Sequence, residues 1–237
     1  MTSFKQLGRG ARWCEWTLVR QLSQRGRHAV FLARDARDAA VLLKLYDRVA
    51  RAQILDLHAR WVTLPPRPEI VSCLGFASDG GVIGLVLEWV PSRPLDDEIR
   101  GCPTASRRHA IVAALIGGLA VLHGHGYTHG DLSSSNVLCA SNRVVLTDLG
   151  LGVLNEGGTP PFASSRTGSS ADVHALGVLW LLLATGRSAL PGVDLRDLQP
   201  CEATAIRGCI DGRYTSAQEI PPPYGLEWRA DAAVSQR

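Results

Sequence analysis

Asp131 stands five residues before Asn136, and Asp148 follows a brief apolar run, Val144 to Thr147. Three oxygen-bearing side chains at that spacing suit a phosphoryl-transfer site, where phosphate charge must be met by a hard cation and an acceptor hydroxyl must be oriented. Each also has an ordinary structural reading: a helix cap for Asp131, a turn residue for Asn136, a solvated strand end for Asp148. The apolar flanks Val137-Leu138 and Val144-Val145-Leu146 weigh against three separate coincidences, because they set short buried segments beside the polar groups. The histidines His123, His125 and His129 are close in sequence, but zinc needs convergent ligands, and Gly124 and Gly126 suggest the turn out of a helix.

The elements that must position these groups change character near Pro91 to Pro103, a Pro-, Asp- and Gly-bearing stretch that reads as a link. Before it, Trp16 to Arg20, Ala29 to Ala33, Ala40 to Leu45 and Val82 to Trp89 are short runs rich in Val, Leu and aromatics, the signature of one antiparallel sheet. Between the third and fourth runs, Val49 to Thr63 carries Ile54, Leu55, His58 and Trp61 near helical spacing and stops at Pro65-Pro66. After the link, Arg107 to His123 and Asp172 to Ala184 read as buried helices, the second stopped by Gly186. The expected fold class is α+β: a small antiparallel sheet plus one helix over residues 1–90, a mainly helical part over 91–220, and a partly ordered tail over 221–237.

Bulk properties narrow the classes further. A chain of 237 residues, 46% hydrophobic and 20% charged, suits one soluble domain or two small lobes sharing a cleft. Its net charge of +3, from 25 basic and 22 acidic residues, makes no single-signed field of the kind a nucleic-acid partner needs. The six cysteines are scattered without a C-x-x-C pair or a secretory leader, which points to reduced thiols in a cytoplasm. The longest apolar stretches, Ile111 to Leu122 and Val178 to Ala184, fall short of the roughly 18 to 20 residues of a membrane span, so no transmembrane segment is expected.

The span His129-Gly130-Asp131-Leu132-Ser133-Ser134-Ser135-Asn136, followed by Asp148-Leu149-Gly150, resembles the H-x-D-L-x-x-x-x-N and D-F-G segments of the protein kinase superfamily. The likeness to bacterial-type Ser/Thr kinases runs from about Leu18 to Ile220. It implies a bilobal fold with the sheet in the N-lobe and helices in the C-lobe. It further implies ATP and magnesium as cofactors, Asp131 as catalytic base, and Asn136 and Asp148 as magnesium ligands. Lys44, closing Val41-Leu42-Leu43-Lys44 where the family has V-A-I-K, would contact the α- and β-phosphates; its bland alternative is a snorkelling surface lysine. Ser23, Gly26 and Val30 fall in the segment resembling the nucleotide loop, and the backbones of Glu88 and Val90 would meet the adenine edge. Asp172, in Asp172-Val173-His174-Ala175-Leu176-Gly177, would brace the catalytic-loop backbone.

Departures from the family pattern set the expected activity. Ser23, Arg25 and His28 occupy the three loop-glycine positions, leaving only Gly26, so backbone N–H groups approach phosphates less closely and ATP binding should be modest. The helix before Pro65 lacks a glutamate, with Asp56 the nearest acid to pair with Lys44, and Arg213 lacks the family's A-P-E glutamate. Ser133 stands where Ser/Thr kinases carry a lysine, removing one charge from the reaction site. The expectation is an ATP- and Mg-dependent phosphotransferase, a Ser/Thr protein kinase of modest activity with a protein substrate. The alternatives are a nucleotide-binding pseudokinase or scaffold and, because H-G-D also resembles small-molecule phosphotransferases, a sugar or glycan kinase.

Overall fold

The computed structural model describes residues 7–25, 28–47, 51–149, 160–186 and 195–221. Backbone contacts divide the chain into two units, Met1–Pro91 and Ser92–Arg237.

The first unit is built on a six-stranded antiparallel sheet in the order β1-β2-β3-β4-β6-β5. Its strands are β1 (Arg12–Trp13), β2 (Trp16–Arg25), β3 (His28–Arg34), β4 (Ala40–Asp47), β5 (Cys73–Asp79) and β6 (Val82–Glu88). Side chains alternate between faces, and on one face Trp13, Trp16, Leu18, Phe31, Leu43, Leu45 and Val86 form a single buried cluster. Gly84 is needed on that face: a Cβ there would lie 2.7 Å from the Trp13 ring and 2.6 Å from the Leu45 side chain. Helix α1 (Arg51–Trp61) packs on β5 and β6, burying Ile54 and Trp61, and the Trp61 indole donates to the Val71 carbonyl at 3.0 Å.

In the second unit, β7 (Arg93–Pro94), β8 (Val137–Cys139) and β9 (Val144–Leu146) form a small antiparallel sheet beside α2 (Leu95–Arg100). Helix α3 (Ala105–Gly124) is capped by Thr104, whose side chain accepts from the Arg107 N–H. Helix α4 (Ser169–Thr185) buries ten residues around its whole circumference and stops at Gly186, whose φ of 68° is left-handed. Helix α5 (Pro200–Asp211) follows, with a short turn of 3-10 helix at Ala217–Glu219. The two packed helices meet closely: a Cβ on Gly177 would fall 2.7 Å from Cys209 Cβ.

Several expectations are corrected. The expected runs Trp16 to Arg20 and Ala29 to Ala33 are longer than their apolar cores, because β2 and β3 pair as far as Arg25↔His28. The stretch Pro91 to Pro103 is not only a link, since it holds β7 and α2. β1 and β5 add two strands to the expected four. Helix α3 is longer than its apolar run and, at 20 residues, passes for a membrane-crossing helix by length and composition, but eight of its residues are buried inside the unit. Asp56 does not face the sheet lysine: its exposed carboxylate pairs with Arg60 at 2.9 Å, whereas Lys44 is buried.

Candidate active site

In the first unit, strand register collects the residues expected at the nucleotide. Ser23 lies opposite Val30, Val30 opposite Lys44, and Lys44 opposite Leu85, so all four occupy one row across β2, β3, β4 and β6. Lys44 is 3% exposed. A buried ammonium is costly unless it is paired or serves a ligand, which argues against the snorkelling reading. Glu88 closes β6: its N–H donates to the Ser72 carbonyl at 2.9 Å, and its carboxylate accepts from the Ser72 N–H at 3.3 Å. Val90, two residues on, is buried. Gly26 lies outside the described residues, as do Arg27, Gly150 and Thr159.

In the second unit, the catalytic-loop residues are held by hydrogen bonds that close on one carboxylate. Asp172, in the first turn of α4, is 1% exposed and accepts from the backbone N–H of His129 at 2.7 Å and of Gly130 at 2.9 Å. It also meets His123 Nε2 at 3.1 Å, and the other ring nitrogen, Nδ1, accepts from the Ala217 N–H at 3.0 Å. His123 is therefore a structural link from α3 to α4 and to the chain beyond α5, a part that its place near Gly124 and Gly126 did not suggest. Gly130 has φ 78°; a side chain in that region costs roughly 1–2 kcal/mol, so glycine suits the backbone path that presents its N–H to Asp172.

The same loop fixes Asn136. Its Nδ2 donates to the Asp131 carbonyl at 2.8 Å and approaches Asp131 Oδ2 at 3.4 Å, while the Thr147 N–H donates to the Asn136 carbonyl at 3.0 Å. With Nδ2 committed, Oδ1 is the face the side chain offers to a ligand; Ser135 Oγ approaches it at 3.4 Å and is itself 2.9 Å from Ser133 Oγ. Asp148 is half-buried, with φ 63°, a conformation that aspartate visits more readily than most residues. No group of three His, Cys, Asp or Glu side chains converges as a metal site among the described residues.

His129 is fully buried, and burial pushes its imidazole down from the ordinary value, against the raising pull of Asp172, Asp148 and Asp131. Its Nδ1 accepts from the Asp131 N–H at 3.4 Å, which puts the proton of the neutral ring on Nε2. The backbone of Thr147 approaches the ring as well, although Nε2 makes no hydrogen bond of full geometry among the described residues. His129 thus serves the loop rather than a metal.

Two polar features have no counterpart in the sequence motifs. Glu202, 4% exposed on α5, accepts from Nε and Nη2 of Arg108 at 2.7 and 3.1 Å and from the Trp180 indole at 2.9 Å, tying α3, α4 and α5 together. Arg213 forms no ion pair among the described residues. Instead, Arg166 anchors the segment before α4, donating to the Cys209 carbonyl at 3.1 Å near the end of α5.

The protein kinase domain family matches this chain over residues 61–223. The chain is 27% identical over 188 residues to "Probable serine/threonine-protein kinase PBL5" of Arabidopsis thaliana, covering 67% of this chain and 44% of that protein. It is 30% identical over 156 residues to the serine/threonine-protein kinase PBL27 of the same organism, covering 54% of this chain and 30% of that one. Its fold resembles the PknI kinase domain of Mycobacterium tuberculosis, with a TM-score of 0.67 and 19% identity over 90% of this chain and 96% of that one. The chain belongs to the protein kinase domain family, and it spans less than half the length of these curated relatives. Membership implies ATP and a divalent metal as the working cofactors.

Proposed function

We propose that this chain is an ATP- and magnesium-dependent protein kinase acting on Ser or Thr residues of a protein substrate. The observation that carries the reading is the locked catalytic loop. Asp172 holds the His129 and Gly130 amides, and Asn136 Nδ2 holds the Asp131 carbonyl. Asp131 is thereby fixed to orient the acceptor hydroxyl and take its proton as the acceptor oxygen bonds to the γ-phosphorus and ADP leaves. Asn136 Oδ1 and the Asp148 carboxylate are hard oxygens that fit magnesium, which when bound neutralises phosphate charge. Lys44 engages the α- and β-phosphates, Ser23, Gly26 and Val30 line the nucleotide, and the Glu88 and Val90 backbones meet adenine. Ser133 is buried and paired with Ser135, so this position brings no cation to the transferred phosphate and turnover is slow. The six free thiols suit a cytoplasmic setting.

A second reading, a nucleotide-binding pseudokinase, is favoured by α1, whose aspartate pairs outward with Arg60. Radiolabelled ATP with magnesium or manganese, with and without a generic protein substrate, separates the two. Label entering protein with wild type and lost in Asp131→Asn supports the kinase. Nucleotide binding with no transfer supports the pseudokinase, and transfer only to small hydroxylated compounds would replace both.

A further inference from the structure

Ser133 opens a short turn of 3-10 helix, Ser134–Asn136, where a serine hydroxyl ordinarily caps the free N–H groups of the turn. Here its side chain makes no capping bond. Ser133 is 1% exposed, and among the described residues its Oγ has one polar neighbour, Ser135 Oγ at 2.9 Å. The next link is the approach of Ser135 Oγ to Asn136 Oδ1 at 3.4 Å. Ser135 itself is exposed, so the chain of hydroxyls begins in the interior and its second member reaches solvent beside Oδ1.

The proton count gives this chain a direction. A hydroxyl carries one proton and two lone pairs. Were Ser135 to donate to Ser133, the Ser133 proton would be buried without an acceptor, which is costly. Ser133 therefore donates, Ser135 accepts, and the Ser135 proton is left for the side of Asn136 Oδ1. Asn136 Nδ2 is already committed to the Asp131 carbonyl at 2.8 Å, so Oδ1 is the atom that can take a cation. A cation there brings phosphate oxygens with it, and a charged oxygen makes a stronger acceptor for the Ser135 proton than the long contact to a neutral amide.

We propose that Ser135 is a phosphate-binding residue: its hydroxyl donates to a nucleotide phosphate oxygen on the magnesium held by Asn136, and Ser133 is the positioning residue that sets the direction of that proton. The lysine position of the family thus contributes a relayed, neutral donor in place of a charge. This rests on the metal and nucleotide site proposed above.

The test is calorimetric binding of the non-hydrolysable imido analogue of ATP to the whole chain, once with magnesium and once with EDTA. Wild type is compared with Ser135→Ala, Ser133→Ala, the double variant and Ser135→Thr, with circular dichroism to check folding. The expected result is affinity about threefold or more weaker in Ser135→Ala with magnesium, unchanged within about twofold in EDTA, and restored in Ser135→Thr, which keeps the hydroxyl. Ser133→Ala should show part of the same loss, and the double variant should be no weaker than Ser135→Ala, because the two hydroxyls act in series. Unchanged magnesium-dependent binding in Ser135→Ala would overturn the proposal, and exposed Ser135 allows that reading even if a Ser133 variant folds poorly. An equal loss with magnesium and with EDTA would overturn it too, by moving the effect away from the metal-bound phosphate, as would losses that simply multiply in the double variant. Wild type that binds the nucleotide no better with magnesium would sink the metal site itself, an outcome distinct from magnesium-dependent wild type and variants that do not differ.

Discussion

Replacing Asp172 by asparagine changes almost no volume and removes one charge, which makes it a clean probe of the catalytic loop. The native carboxylate accepts two backbone N–H bonds, at 2.7 and 2.9 Å, and faces His123 at 3.1 Å. An amide has one acceptor oxygen, so its NH2 group must face one of these donors. About two charge-assisted bonds are broken or weakened, each contributing roughly 1.5 kcal/mol at the lower end of its range, and one buried N–H left unmet costs about 1–3 kcal/mol more. Asp172→Asn should therefore lower the unfolding free energy by about 4–6 kcal/mol, read as a fall in the urea midpoint with unchanged slope. Amide exchange at His129 and Gly130 should accelerate more than exchange in the core of α4. A loss below about 1 kcal/mol, or unchanged protection of those two amides, would refute the claim that this carboxylate holds the loop.

Three further outcomes follow from packing and charge. Burial raises the Glu202 carboxyl, but Arg108, the Trp180 indole and His109 outweigh it and hold it below its ordinary value of 4.5; its stabilisation is present above that value and fades as pH falls through the lower folded value. Glu202→Gln should cost about 3–5 kcal/mol at pH 7 and flatten the acid limb of stability in urea titrations from pH 7 to 3; a steep limb in the variant would contradict this. Gly84→Ala should destabilise by about 1–3 kcal/mol through overpacking against Trp13 and Leu45, with a smaller change in thermal melts arguing that the indole can move. An aromatic disulfide reagent at pH 8 should react quickly with exposed Cys14, Cys102 and Cys201. Buried Cys139 and Cys209, their thiols pushed up to about 11 and about 12 by burial, should react only on unfolding.

The long apolar elements and the Asp172 brace were more legible than the rest of the scaffold. β4 and β6 announce themselves as runs of Val, Leu and Ile, and α4 as an apolar helix with a glycine stop. β5, Cys-Leu-Gly-Phe-Ala-Ser-Asp, does not, because a glycine and a polar end interrupt its pattern, and α2 is too short at six residues to show a helical period. The hairpin at Arg25↔His28 is hidden when the segment is viewed through glycine spacing rather than through cross-strand pairing. Asp172 was foreseeable from its motif. Glu202 was not, since Arg108 is 94 residues away and nothing local marks the glutamate as buried. The partner of His123 in the chain beyond α5 was equally invisible, because hydrogen bonds to a distant backbone N–H leave no trace in residue type.

The bonds around Asp172 also set an order in time during synthesis. The amides of His129 and Gly130 wait for a carboxylate 43 and 42 residues further along, and His123 waits 94 residues for the Ala217 N–H. At about 5–20 residues per second, the last of these partners emerges roughly 5–20 s after the histidine. A nascent chain that has reached Asp131 but not α4 therefore carries the aspartate without the anchor that shapes its loop, and a fragment ending between α4 and Ala217 has the anchor without the full set of groups that steady it.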